Sequence, residues 1–102
     1  MLINAQNLAN SLWAAATLGI RDEPFIYYWL LAAQVKLPEF NAQNLTNSLW
    51  AAATLDVRNE PFLSSWLLAA KVKLPVFNAQ HIADIRWAAD KLGIEVVALL
   101  GP

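Results

Sequence analysis

NAQNLANSLWAAATLGI, residues 4–20, returns as NAQNLTNSLWAAATLDV at 41–57 and more loosely as NAQHIADIRWAADKLGI at 78–94. Asn4, Asn41 and Asn78 therefore stand at a period of 37 residues, and the stretches 4–40 and 41–77 differ at only nine positions. Periods of this size mark stacked arrays, because one such unit cannot bury its apolar face alone. The spacing divides a single domain, residues 1–102, into units 3–39, 40–76 and 77–102.

Each full unit reads as two helices. Asn4, Asn41 and Asn78 are good N-caps, since the Asn side-chain oxygen can accept from an amide one turn into the helix. Ile3, Phe40 and Phe77 precede the caps and Leu8, Leu45 and Ile82 follow five residues later, which is the spacing of a hydrophobic staple. Helix A is predicted to run to about Leu18, Leu55 and Leu92, with Gly19 and Gly93 as stops. A polar link then leads to helix B, whose first turn holds Pro24 or Pro61 beside Glu23 or Glu60. Helix B is predicted to end before Pro38 and Pro75. No segment alternates with a two-residue period, so no sheet is expected.

The predicted fold is all-α: an α-solenoid of antiparallel helical hairpins with two full units and a capping third unit. Ala5, Leu8, Ala9, Leu12, Trp13, Ala15 and Ala16 share one arc of helix A, so the recurrent Trp13, Trp50 and Trp87 read as the edge of the core. Trp29 and Trp66 fall within helix B, which is apolar almost all round and reads as flanked on both sides. In the third unit Arg86 replaces Leu12 and Leu49, and Asp90 replaces Ala16 and Ala53. Spaced four apart, Arg86 and Asp90 can pair along the helix and make this face a polar cap, followed by a short helix over Glu95–Leu100 that ends at Gly101-Pro102. A drifted internal repeat is the other reading of the same substitutions. The N-terminal end has no such cap, and Tyr27 and Tyr28 stand where the second unit has Ser64 and Ser65. An apolar end rarely stays bare. Tyr27 and Tyr28 are thus candidates for self-association, and we expect a homo-oligomer or part of a longer repeat array.

Composition excludes several classes of function. Hydrophobic residues make up 58% of the chain and charged residues 15%, which is the balance of a folded domain. Seven Lys and Arg against eight Asp and Glu leave a formal charge of −1 and no broad basic field. No Cys is present, which removes disulfides, thiolate nucleophiles and Cys-based zinc sites. The uncharged first 20 residues recur at 41–55 and are a repeat unit, not a signal peptide or membrane span. With no Cys and no signal pattern, an intracellular protein is expected.

Catalytic chemistry is thin. His81 and Asp84, three apart, suffice for two metal ligands where a structural zinc needs four. Ser64 or Ser65 with His81 and Asp84 could be drawn as a triad, but nothing builds an oxyanion hole. No glycine-rich phosphate loop or dinucleotide fingerprint occurs. Neither enzymatic activity nor a cofactor is expected. Arg21 and Arg58 recur at the helix A terminus, where they suit its negative end or pairing with Asp22 and Glu60.

The candidate contact surface is an uncharged amide stripe: Gln6, Asn7 and Asn10, then Gln43, Asn44 and Asn47, continuing into Gln80, His81 and Asp84. Amide side chains pair donors with acceptors and can match the edge of a base. Gln6, Gln43 and Gln80 are identical and cannot distinguish bases, whereas Asn7/Asn44/His81, Asn10/Asn47/Asp84 and Ala9/Thr46/Ala83 vary. The same residues could instead cap helices or bridge the seams between units.

These motifs resemble the octotricopeptide repeat, a helical hairpin with a Q-x-L-A-N-x-L-W-A-x-A-x-L-G core. The matching residues are Gln6, Leu8, Ala9, Asn10, Leu12, Trp13, Ala14, Ala16, Leu18 and Gly19. The second unit departs from the core at Thr46 and Asp56, and the third loses the Asn to Asp84 and a Leu to Arg86. The resemblance implies an α-solenoid that binds single-stranded RNA with helix A on the binding surface, as in organelle gene expression; related bacterial arrays have no assigned role. The alternative is a protein-interaction or self-associating scaffold with no RNA role.

Overall fold

A computed structural model describes residues 3–101; Met1, Leu2 and Pro102, the expected stop after Gly101, lie outside the described residues. The chain is all-α. Two long hairpins, α1 (Ala5–Leu18) with α2 (Glu23–Lys36) and α3 (Ala42–Thr54) with α4 (Glu60–Lys73), are followed by α5 (Ala79–Leu92) and the single turn α6 (Val97–Leu100). The predicted ends hold to within a residue or two, and α6 starts two residues later than expected. Pro38 and Pro75 sit in 3-10 turns, Leu37–Glu39 and Leu74–Val76, that carry the chain from one hairpin to the next. Among the described residues, no helix is long and apolar enough to cross a membrane.

The caps behave as their residues dictate. Oδ1 of Asn4, Asn41 and Asn78 accepts from the amides of Asn7, Asn44 and His81 at 2.7–2.8 Å. Gly19 and Gly93 end their helices in the left-handed region, with φ of 69° and 73°. The equivalent Asp56 takes the same conformation, φ 57°, without glycine's freedom.

Two layers result. α1 packs on α3 and α3 on α5, while α2 packs on α4 and α4 on α6. Between A helices the buried stripe Ala5, Ala9, Leu12 and Ala16 faces the next unit, where Asn44, Ser48, Ala51 and Leu55 are buried in turn. Small residues let these helices approach closely, and leucine supplies the area removed from water. The layers are pinned by indoles. Nε1 of Trp29 donates to the Leu8 carbonyl at 2.7 Å, and Nε1 of Trp66 to that of Leu45 at 2.8 Å. The same carbonyls accept from Oγ of Ser11 and Ser48. The third unit has no long B helix to supply a tryptophan, and the serine position becomes Ile85, which is fully buried.

The recurrent arginines clip one unit to the next. Nη1 of Arg21 donates to the carbonyls of Leu55 and Asp56 beyond the end of α3, and Nη1 of Arg58 to Leu92 at 2.8 Å at the end of α5. Nε of Arg21 is held by Glu23 and that of Arg58 by Asp56, at 2.8 and 2.7 Å, in place of the expected Asp22 and Glu60. The hydrogen bond to Glu23 raises the Arg21 pKa above its usual value. The helix end being neutralised thus belongs to the following unit, at a sequence separation that no local reading reaches.

Two further expectations are corrected. Helix B is not covered on both sides: Leu31 and Val35 of α2 and Leu68 and Val72 of α4 are exposed, because a two-layer stack leaves the outer side of its second layer without a neighbour. Arg86 and Asp90 do not form an ion pair among the described residues; Nη2 of Arg86 donates instead to the carbonyls of Leu100 and Gly101, at 3.4 and 3.2 Å, and Asp90 is exposed. A guanidinium at this position reaches the C-terminal turn, whose carbonyls lack intrahelical donors. The polar end face comes from that contact together with the exposed carboxylate.

Candidate functional site

Helix periodicity decides which side chains meet solvent on the A layer. Residues 6, 10, 13 and 17 follow one another at spacings of four, three and four, so they form a single ridge along α1. In α1 the ridge is Gln6, Asn10, Trp13 and Thr17; in α3 it is Gln43, Asn47, Trp50 and Thr54; in α5 it is Gln80, Asp84, Trp87 and Lys91. The indoles of the A helices therefore share the ridges of the amide stripe, and Trp50 also packs against the core. Trp13 and Trp87 are 43% and 46% exposed and Trp50 is half-buried, whereas Trp29 and Trp66 are buried as expected. The indole lies at the edge of the apolar arc, which is why projection read it as the edge of the core, but at Trp13 and Trp87 it projects outward.

The second and third ridges are joined. Trp50 and Trp87 stack with centroids 6.4 Å apart and planes 28° from parallel. Nζ of Lys91 lies 5.6 Å from the Trp87 ring, within range of a cation–π attraction. Nε2 of Gln43 donates to Asn47 Oδ1 at 2.7 Å, and Nε2 of Gln80 to Asp84 Oδ1 at 2.9 Å, orienting these side chains along their helices. Gln43 Oε1 also contacts His81 Nε2 at 3.2 Å across the seam. His81 Nδ1 accepts from the Asn78 amide, so in the neutral ring Nε2 carries the proton and donates to Gln43.

Position 7/44/81, expected to be a variable contact, is placed differently in each unit, and at Asn44 it is closed to a ligand. Asn44 is buried and forms a reciprocal capping box with Asn41. His81 does the same with Asn78, its ring lying edge-on to Phe77 with centroids 6.0 Å apart. Asn7 alone of the three is exposed. Thr46 is also buried, its hydroxyl donating to the Ala42 carbonyl, so Ala9 and Thr46 face seams and not a ligand, while Ala83 is exposed on the outer side of α5. Gln6, Asn10, Gln43 and Gln80 are exposed, while Asn47 and Asp84 are half-buried on the same ridges. Both ring nitrogens of His81 are engaged, and Asp84 faces Gln80. No group of three metal-ligating side chains occurs among the described residues. Tyr27 and Tyr28 lie on α2, both exposed, their rings in a T-shaped contact with centroids 5.4 Å apart.

The resulting surface is amphipathic and almost uncharged, with indole faces flanked by amide donors and acceptors. Its ionisable groups are His81, Asp84 and Lys91. It suits a ligand with flat faces and polar edges. No family model, curated protein or solved structure matches the chain.

Proposed function

We propose that the chain is a helical-repeat binding module of octotricopeptide type that engages single-stranded RNA through the ridges of its A helices. The observation that carries this reading is the register of indoles and amides: Trp13, Trp50 and Trp87 recur every 37 residues beside Gln6, Gln43 and Gln80, with Trp13 and Trp87 exposed and Trp50 half-buried. Water-facing tryptophan is costly and rarely repeated in line without a ligand to cover it. Bases stack on such rings whatever their sequence, while amides at their edges supply hydrogen bonds.

The charge distribution sets the character of the interaction. Arg21 and Arg58 are spent on the seams and only Lys91 stands on the ridges, so few phosphates are neutralised. Binding is therefore dominated by stacking, modest in strength and shallow in its salt dependence, with a slope near that of one released counterion. Fluorescence anisotropy of labelled single-stranded RNA at low salt tests this. Removing a stacking ring costs about 1–3 kcal/mol, so Trp87→Ala is expected to weaken binding about tenfold or more with helicity unchanged. RNA that fails to bind, or that binds Trp13→Ala and Trp87→Ala as it binds the parent, overturns the reading.

A second reading, a protein-interaction scaffold without an RNA role, has its own support on the opposite layer. Leu68 and Val72 border a cleft of about 370 Å³ between α2 and α4, floored by Leu37 and Ala69. An apolar cleft between parallel ridges is the shape that accepts a partner helix. Loss of partner capture on Leu68→Asp, with RNA binding intact, separates the two surfaces.

A further inference from the structure

The repeat provides an internal control for its own end face. Every A helix has an upstream stripe: Asn7, Ser11, Ala14 and Leu18 in α1, and Asn44, Ser48, Ala51 and Leu55 in α3. The α3 stripe is buried along its whole length beneath α1, but in α1 the same residue types are exposed or half-buried. Leu18 is 71% exposed where Leu55 is 6%, and Ile20 is 51% exposed where Val57 is 4%. The seat continues onto the hairpin as a cleft of about 320 Å³ bordered by Ile3, Phe25, Tyr28 and Ala32. In the second unit the equivalent Phe62 is buried, edge-on to Trp29 of the first unit at a centroid distance of 5.3 Å.

What fills this seat elsewhere in the molecule defines its occupant. Both internal seams are closed by a helix carrying a small–small–leucine–small stripe (in the second unit Ala42, Thr46, Leu49 and Ala53), followed by an arginine that caps the next A helix. Neither Arg21 nor Arg58 reaches the carbonyls of Leu18 and Gly19, the equivalent acceptors of α1. A folded second copy of this chain has no matching stripe to offer, because those of its first two units are buried and that of the third contains Arg86 and Asp90. We propose that the N-terminal end face is a docking seat for a further hairpin of the same repeat class, with an uncharged stripe of this pattern and an arginine in its A–B link. The arginine caps the carbonyls at the end of α1, and an aromatic side chain of its B helix covers Phe25. Tyr28, where the second unit has Ser65, extends the apolar rim that the incoming hairpin meets, whereas Tyr27 borders Asn59 and Pro61 of the second unit, away from the end face.

The test inserts a second copy of residues 4–40 between Ile3 and Asn4 of the full chain and follows amide exchange. Docking is expected to slow exchange in the last two turns of the original α1 by about tenfold or more, since its opening must now break a seam. Leu12→Arg with Ala16→Asp in the inserted copy alone, which imports the charges of the third unit, is expected to abolish that protection. Three results overturn the proposal: an inserted unit that is not helical by circular dichroism, an inserted helical unit that leaves α1 exchange unchanged, or an unmodified chain that sediments as a dimer with α1 already protected. The last would assign the seat to a second copy.

Discussion

The first and second units share all but nine of 37 residues, yet their leucines and alanines live in different environments. Ala14 is exposed and Ala51 fully buried; Leu18 stands in water and Leu55 in the core. Nothing in the side chains accounts for this. The second unit is flanked by two A helices and the first by one, so in a stacked array burial is a property of the neighbour more than of the residue. The third unit completes the lesson, since the charges at its outer face replace residues that are fully or almost fully buried in both other copies.

That contrast is most severely tested by transplanting the end into the middle. Leu49→Arg with Ala53→Asp places in a closed seam the two charges that the third unit carries at its edge. Burying them without partners costs about 5 kcal/mol or more, comparable to the whole stability of a domain this size. Thermal unfolding by circular dichroism should find that double variant unfolded. Next in size is the contrast between the two kinds of tryptophan. Trp66→Ala removes a buried ring and the donor to Leu45, and is expected to cost about 3–5 kcal/mol by urea denaturation. Trp13→Ala, on the exposed ridge, is expected to cost less than about 1 kcal/mol. Leu55→Ala and Leu18→Ala then compare one residue type with and without a neighbour. Expected losses are about 2–4 kcal/mol for the first and under about 0.5 kcal/mol for the second, read from the same titrations. The smallest effect lies at Asp56, which holds a left-handed backbone where the first and third units use glycine. Asp56→Gly relieves that conformation but gives up the exposed contact to Arg58, for an expected net gain of about 0.5 kcal/mol. A loss there would mean that the contact to Arg58 outweighs the backbone.

Much of the fold was legible because its signals are local. The Asn caps, the glycine stops, the proline-started B helices and the period of the array each involve residues within a turn or one repeat of each other. The reach of Arg21 to Leu55 and of Arg58 to Leu92 was not legible, because such contacts depend on how one unit sits against the next. The site was legible in part. Helical projection found the amides at 6, 10, 43, 47 and 80 and the carboxylate at 84, but it read the A-helix tryptophans as the edge of the core because they border the apolar arc. The spacing 6–10–13–17 contained the correct answer. The Asn at 44 was misplaced for the opposite reason, since a polar side chain that completes a capping box is satisfied by its own backbone and needs no water.

Near-identity of adjacent copies also bears on how the chain reaches its native arrangement. The buried stripe that α3 presents to α5 differs from that of α1 at one side chain, Thr46 in place of Ala9. A misregistered conformer, with the first hairpin seated directly on α5 and the second looped out, therefore forfeits little of that surface. Selection against it falls to chain connectivity and to the lost burial of a whole hairpin. In crowded solutions the same degeneracy permits hairpins of different molecules to exchange places.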